Sequence, residues 1–502
     1  MTRSSIYEMI LPLVGLDDRE ITGKKLLING LYGAVDVVDE KSAQMIKAGD
    51  PSGLSSSVYE RLIARGHITQ RSETEELDDA LLIGHICDRI VNRAVIKPVI
   101  MPTYNCNFRC PYCFEKHRLS RDAEWLHKTI SPKMIDAVFA ALKERRERGY
   151  QIGELSLYGG EPFLKENRAA VQSICEHARA LDLKLDAITN GYELDAYMDL
   201  LEEFRFKRLQ ITVDGVGALN DRRRLHRDGV PTYERIMSNI SLALEHGVGI
   251  TLRVNVDGEN LGEIGTLLAD LDRRGLKQTP DRFSCYFKAV TGAPGQVTDQ
   301  MVMDKLLSLG IKPLDAIRHE SRFGMHLTAL EPLLSGEGSP AFTTAFCGAE
   351  SGALVIGPDG RIYACWDVVA REQDSVGFTD VESGRFFFNY NKAKWRLRTS
   401  DHMEPCRTCP HILACRGGCA ADAGRYHGDY FREFCGEERE TFAFTASRVI
   451  GRKWEETQEE QLSESLFQPL SKLTESERRI LTTGKPVEMA PVLEKIKIFD
   501  KR

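Results

Sequence analysis

Apolar positions along this chain keep two different periods, and the change between them divides it. Over residues 1–94 the runs are short. Tyr7, Met9 and Leu11 alternate as in a strand; Leu26 to Ile28 and Ala34-Val35-Val37-Val38 read as two more strands around the Asn29-Gly30 turn and Gly33. Asp39-Glu40 opens a short helix containing Met45 and Ile46, broken at Pro51-Ser52-Gly53. Ser55 to Arg65 places Val58, Leu62 and Ile63 on one helical face and stops at Gly66. Together these predict a small α+β domain.

Over residues 95–290 strand and helix patterns alternate. Strands are expected at Val95 to Met101, Leu155 to Leu157, Leu185 to Ala187, Leu209 to Val213, Ile250 to Val254 and Phe283 to Phe287. Between them lie helical repeats, one opened by Ser131-Pro132 and carrying Ile135, Val138, Phe139 and Leu142, another carrying Ile264, Leu267, Leu268 and Leu271 and stopped by Gly275. About six β-α units predict an α/β fold: a parallel sheet curled into a partial, TIM-like (β/α)6 barrel, with functional residues at the carboxyl ends of the strands. Residues 291–340 read as a bridging region, residues 341–452 as a cysteine-rich domain, and residues 453–502 as a charged helical tail with a Thr474-x-x-Glu477 capping box.

Composition narrows the function classes. A formal net charge of −7 in 502 residues gives no basic footprint for nucleic acid. No apolar stretch is long enough for a bilayer, and Ile6 to Leu16 is interrupted by Glu8 and lacks a small-residue cleavage site, so it reads as a strand and not a signal peptide. Thirteen cysteines without a targeting signal point to metal or redox chemistry in a reducing cytoplasm.

Three of them, Cys106, Cys110 and Cys113, form C-x3-C-x2-C directly after the first barrel strand. Three thiolates are one short of a closed zinc site. On a [4Fe–4S] cluster they leave one iron open to a small molecule. After the second strand comes Tyr158-Gly159-Gly160-Glu161-Pro162, where the glycines allow a ligand to approach the backbone and Glu161 can accept from an ammonium group. Thr189 and Asn190 end the third strand, Gln210 and Asp214 belong to the end of the fourth, and Arg253 and Asn255 share one face of the fifth. Each of these sets is also compatible with ordinary turns and structural barrel residues.

In this order the motifs resemble those of radical S-adenosylmethionine enzymes. The resemblance implies that the open iron chelates the amino and carboxylate groups of S-adenosylmethionine, which one electron cleaves to methionine and a 5′-deoxyadenosyl radical. It implies that Gly159, Gly160, Glu161 and Pro162 meet the ligand's amino group, that Thr189 and Asn190 reach its ribose or carboxylate, and that Arg253, with Asn255, suits the carboxylate. Further on, Cys347 and Cys365 bracket Gly360 as C-x12-G-x4-C, and Cys406, Cys409, Cys415 and Cys419 read C-x2-C-x5-C-x3-C before Cys435. That spacing resembles the SPASM domain, which carries two auxiliary iron–sulfur clusters, so three [4Fe–4S] clusters are expected. By resemblance Cys406, Cys409, Cys415 and Cys435 hold the distal cluster, and Cys347, Cys365 and Cys419 the nearer one with an iron left open. A zinc ribbon is the alternative for paired knuckles of this kind. Cys87, Cys175 and Cys285 fit core positions.

The resemblance implies a peptide or protein substrate and a one-electron reductant such as flavodoxin or ferredoxin, with no nucleic-acid or membrane partner. The front domain resembles the peptide-recognition element of peptide-modifying enzymes, so the expected reaction is hydrogen abstraction on a ribosomally made precursor peptide, forming a thioether or another side-chain crosslink. Sulfatase maturation to formylglycine is the first alternative. Against it stand the residues ahead of the cluster loop and Trp366, which separates Cys365 from Asp367, the candidate proton acceptor. A non-catalytic iron–sulfur or zinc scaffold is the second.

Overall fold

The computed structural model describes residues 2–88, 95–116, 124–276, 281–290, 296–334 and 342–496. The domain boundaries expected at residues 94, 291 and 340–341 lie outside these. The chain divides into two compact units. One gathers Met1–Asn92, Ile311–Phe346 and Arg398–Arg502; the other gathers Arg93–Gly310 and Cys347–Leu397. The cysteine-rich half is thereby shared out, with residues up to Leu397 folding alongside the barrel and those from Arg398 alongside the front domain.

In the first unit, β1 (Arg3–Ser4) pairs with β5 (Ile68–Thr69), and β2 (Glu8–Val14), β3 (Glu20–Asn29) and β4 (Val35–Asp39) form an antiparallel sheet in that order. The turn between β3 and β4 is built on Asn29, whose side-chain carbonyl oxygen accepts from the Leu31 and Tyr32 N–H groups. Gly30 is required there, because a Cβ would lie 1.7 Å from the Pro410 carbonyl oxygen. Three helices follow. Glu40–Lys47 is capped by Asp39, and Ser56–Arg65 ends on Gly66 at φ +81°. Glu73–Ile86 opens with a capping box of Ser72 and Glu75. Leu27, Val38, Ala43, Ile46, Leu62 and Ile68 form one buried cluster, so the apolar faces read from the sequence meet where the pattern predicts. A long helix, Glu438–Thr457, runs through the position where the tail was expected to begin, and packs on both β2 and the helix Ser321–Leu334.

The second unit holds six parallel strands: β6 (Lys97–Ile100), β7 (Glu154–Leu157), β8 (Lys184–Thr189), β9 (Arg208–Thr212), β10 (Gly249–Val256) and β11 (Phe283–Ala289). They lie side by side in sequence order, as right-handed β-α crossovers require. The sheet does not close on itself. On the far side of β6 it continues into β12 (Ala353–Ile356), which runs parallel to β6, and then into the antiparallel strands β13 (Arg361–Tyr363), β14 (Gly377–Asp380) and β15 (Arg385–Phe388). The result is the expected partial (β/α)6 barrel with a cysteine-bearing extension on its first strand.

Candidate functional site

The loop after β6 carries Cys106, Cys110 and Cys113 at the carboxyl edge of the sheet. Three neighbouring segments hold it. The Asn105 carbonyl oxygen accepts from the Glu161 N–H at 2.8 Å. A Cβ on Gly160, which sits at φ +52°, would lie 2.0 Å from that oxygen, and one on Gly159 would strike Met101. The two glycines therefore serve first to let the β7 loop lie against the cysteine loop. The Asn190 amide donates to Asn107 Oδ1 at 2.7 Å and lies 4.0 Å from Cys106 Sγ. From beyond β9, the Arg109 N–H donates to the Leu225 carbonyl and the Arg227 N–H to that of Asn107.

Glu161 is buried, and its carboxylate accepts from the Thr189 hydroxyl and from the N–H groups of Asn190 and Phe163. A carboxylate removed from water needs such donors. The oxygens that the sequence offered to a ligand's ammonium thus join the ends of β7 and β8. Burial raises the Glu161 carboxyl to about 7 against the pull of those hydrogen bonds. Thr189 and Asn190 come together with Glu161. Pro162 lies in the same loop, where its carbonyl accepts from the Asn167 amide. Arg253 Nε donates to Asn255 Oδ1 at 2.9 Å, and the Asn255 amide donates to the Tyr112 hydroxyl at 3.3 Å. That bond ties the fifth strand to the cysteine loop.

Several participants were not singled out in the sequence. Arg224 stacks its guanidinium over Phe108 at 5.3 Å and points Nη1 at Cys110 Sγ and the Tyr112 hydroxyl, each at 3.3 Å. Tyr112 in turn donates to Asp214. Arg223 pairs with Asp257 at 2.6 Å. Arg224 closes a basic run, Arg222-Arg223-Arg224, and nothing in that run says that its third member turns toward the cysteines.

Burial pushes the thiols of Cys106 and Cys110 up, with Arg224 opposing it at Cys110, and takes Cys113 up to about 12. Left alone, these groups would stay protonated; a cationic centre is what converts them to ligating thiolates. Two buried donors beside them, Asn107 Nδ2 and Arg224 Nε, have no hydrogen-bond partner among the described residues, as suits a pocket for sulfide or carboxylate acceptors. Among the described residues no three His, Cys, Asp or Glu side chains gather around a single metal ion; in a cluster each thiolate binds a different iron. The donors fit a cluster and an anionic ligand.

In the first unit Cys406, Cys409, Cys415 and Cys435 come together. Burial raises Cys406 to about 12 and Cys415 to about 11, and each feels other members of the set as negative neighbours. Arg439 Nη2 lies 3.6 Å from Cys409 Sγ. Arg398, fully buried, donates to the carbonyls of Tyr430 (2.6 Å), Gly418 (2.9 Å) and Arg432 (2.8 Å), fastening the loop after Cys415 to the arm before Cys435. Cys419 lies outside this set, next to Asp422. In the other unit, Cys347 accepts at Sγ from the Ala349 N–H, and Cys365 follows β13. Asp367 is buried in the short turn Trp366–Val368, whose exposed Trp366 meets Tyr158 edge-on at 5.5 Å, at the start of the Gly-Gly-Glu-Pro loop. Cys87, Cys175 and Cys285 are buried, as expected.

Residues 100–271 match the Radical SAM superfamily. The cysteine-type anaerobic sulfatase-maturating enzyme of Clostridium novyi (strain NT) is 23% identical over 337 residues, covering 65% of this chain and 87% of the relative. The pre-heme d1 synthase of Dinoroseobacter shibae is 27% identical over 189 residues, 37% of this chain and less than half, 43%, of the relative's length. Among solved structures, "Native anSMEcpe with bound AdoMet" superposes with a TM-score of 0.53 at 17% identity, over 70% of this chain and 96% of that one, a likeness of fold. No helix among the described residues is long and apolar enough to cross a membrane. The cysteine loop, its glycine-lined neighbour and the strands β7 to β10 lie within the residues that match the Radical SAM superfamily, so this part of the chain is a radical SAM domain.

Proposed function

We propose that this enzyme modifies a ribosomally made peptide by hydrogen abstraction, forming a thioether or another side-chain crosslink. Cys106, Cys110 and Cys113 hold the cluster in this reading. Gly159, Gly160 and Pro162 line the approach of S-adenosylmethionine, and Arg253 with Asn255 meets its carboxylate. When bound, the pair supplies a carbon-centred radical able to take hydrogen from an unactivated carbon. Glu161, Thr189 and Asn190 keep the two loops in register, and Arg224 balances thiolate charge beside Cys110. Cys406, Cys409, Cys415 and Cys435 hold an auxiliary cluster.

The observation that carries the peptide reading is the small antiparallel sheet of the first unit, whose edge strand β4 takes up an added extended segment, Asp36 bridging to Gln461. Such an edge suits a substrate that is itself a chain. Maturation of a sulfatase cysteine or serine is a second reading, favoured by the relative from Clostridium novyi, most of whose length is matched. Both use a one-electron reductant such as flavodoxin or ferredoxin.

The test is the intact mass of a candidate precursor peptide co-produced anaerobically with the enzyme. Loss of two hydrogens supports crosslinking. Conversion of a cysteine to an aldehyde, with loss of its sulfur and two hydrogens and gain of one oxygen, supports the second reading; at a serine the aldehyde also loses two hydrogens and is told from a crosslink by hydrazide labelling. Alanine at Cys106, Cys110 and Cys113 together is expected to abolish both the mass change and S-adenosylmethionine cleavage while leaving iron at the auxiliary cysteines; persisting cleavage would refute the assignment.

A further inference from the structure

In the three-stranded sheet of the first unit, β4 is an edge strand, and the chain's own distal segment lies along it. The Val37 N–H donates to the Glu460 carbonyl at 2.8 Å, and the Leu462 N–H to the Val35 carbonyl at 2.9 Å. Past the bridge side chains take part as well, and the Leu466 N–H donates to the Tyr32 carbonyl at 2.8 Å. The Ser463 hydroxyl accepts from the Val35 N–H at 2.7 Å and donates to the Gly33 carbonyl at 2.8 Å. Leu462 and Ser463 are buried, at 5% and 6% exposure. Ahead of them, Glu460 pairs with Arg61 at 2.5 Å and with Lys24 at 3.8 Å. The segment therefore presents four consecutive features to the edge: an acid, a residue whose side chain makes none of these contacts, a buried leucine and a buried hydroxyl.

This is an unusual way to cover an edge. Blunting a sheet against wrong pairing needs only a charge, a bulge or a proline. Here the covering strand is read by position: its acid faces two cations and its hydroxyl bridges two backbone groups, in addition to the backbone hydrogen bonds. Backbone pairing supplies affinity in strand addition, and pockets for particular side chains supply selectivity. A segment read in this way reports what the edge recognises. The floor beneath it is also firmly set. Asp36, the bridging residue, is held from behind by buried Arg65 and by His67 Nε2 at 2.7 Å.

We infer that residues Glu460–Ser463 stand in, within this chain, for a partner peptide: the β4 edge docks an extended segment of the pattern acidic–x–Leu–Ser (or Thr), and such a peptide binds by displacing the chain's own strand. The inference rests on the peptide-substrate reading and names the recognition sequence and the element that competes with it. The occupant is a peptide added antiparallel to β4. Its acid meets Arg61 and Lys24, its leucine enters the site of Leu462, and its hydroxyl bridges Val35 and Gly33.

The experiment is hydrogen exchange on the full chain with an isotope-labelled synthetic peptide, Glu-Glu-Gln-Leu-Ser-Glu-Ser-Leu-Phe, supplied in trans, and with its scrambled counterpart. At saturation the Leu462 amide of the chain is expected to lose protection while the Val37 amide keeps it, because the edge has changed occupant and not opened. The scrambled peptide is expected to leave both unchanged. Leu462→Asp, which weakens the resident strand, is expected to tighten peptide binding about tenfold by raising the fraction of chains with a vacant edge. If that variant fails to fold, exchange on the unaltered chain decides alone. Protection of Leu462 that survives excess peptide overturns the inference and makes the segment a permanent strand. No turnover enters this readout. A peptide that is modified while Leu462 stays protected sinks the docking edge alone; a displaced strand with no peptide ever modified sinks the catalytic reading alone.

Discussion

At the scale of single residues, the site is a matter of what can come close. Gly160→Ala would set a methyl group 2.0 Å from the Asn105 carbonyl oxygen at a φ of +52°, so the cysteine loop must shift. The expected outcome is a protein that folds but takes up less iron on reconstitution and loses S-adenosylmethionine cleavage, read by iron content and by release of 5′-deoxyadenosine. The cysteines themselves were legible in the sequence because C-x3-C-x2-C is local. Arg224 and Tyr112 were not legible as a pair. Their meeting depends on how the segment after β9 turns, and spacing along one strand carries no information about that. A buried histidine offers a second residue-scale prediction. His67 is clasped by Glu8 at 2.8 Å and Asp36 at 2.7 Å. Burial works to lower its pKa, but the two carboxylates outweigh it and raise it from 6.5 to about 9. The folded state therefore binds this proton more tightly than the unfolded chain. The stabilisation is complete below about 6.5 and is lost as pH climbs through 9, by up to about 3 kcal/mol. Chemical denaturation of the protein at several pH values is expected to show that decline, and His67→Gln to flatten it.

Elements follow the same division between local and distant causes. Strands such as β9 to β11 were legible because apolar residues recur at every second position, as at Leu209, Ile211 and Val213 or Ile250, Leu252 and Val254. The helix Glu73–Ile86 is not legible in the apolar pattern because its inward side carries Glu76 and Asp79 among the apolar residues, which erases a clean stripe. Those acids are satisfied from elsewhere: Arg3 and Ser5 reach Glu76, and Arg71 and Arg478 reach Asp79. The start of this helix is nevertheless written locally, in Ser72 and Glu75. Ser72→Ala is expected to cost about 1 kcal/mol of unfolding free energy, measured by urea denaturation. Arg398 is the distant counterpart. Replacing it with methionine leaves carbonyls of Tyr430, Gly418 and Arg432 without this donor, each costing about 1–3 kcal/mol if it stays dry. Loss of auxiliary iron, with S-adenosylmethionine cleavage retained, is the expected signature.

At the scale of the whole molecule, the α/β barrel follows from pattern and spacing, whereas the continuation of its sheet into β12 to β15 and the division into units do not. Periodicity marks where elements lie along the chain; it does not say that residues from Arg398 onward return to the company of Met1–Asn92. That return has a consequence for how the protein is made. Strand β4 leaves the ribosome early, and the strand that covers its edge, at Gln461, follows far behind it. Several hundred residues at ordinary elongation rates take about 20 to 85 s. Through that interval the nascent chain carries an uncovered β-edge with selective contacts already in place. A cognate peptide present during synthesis would meet no resident competitor, so occupancy of that edge in the cell depends on the order in which the two arrive as well as on their affinities.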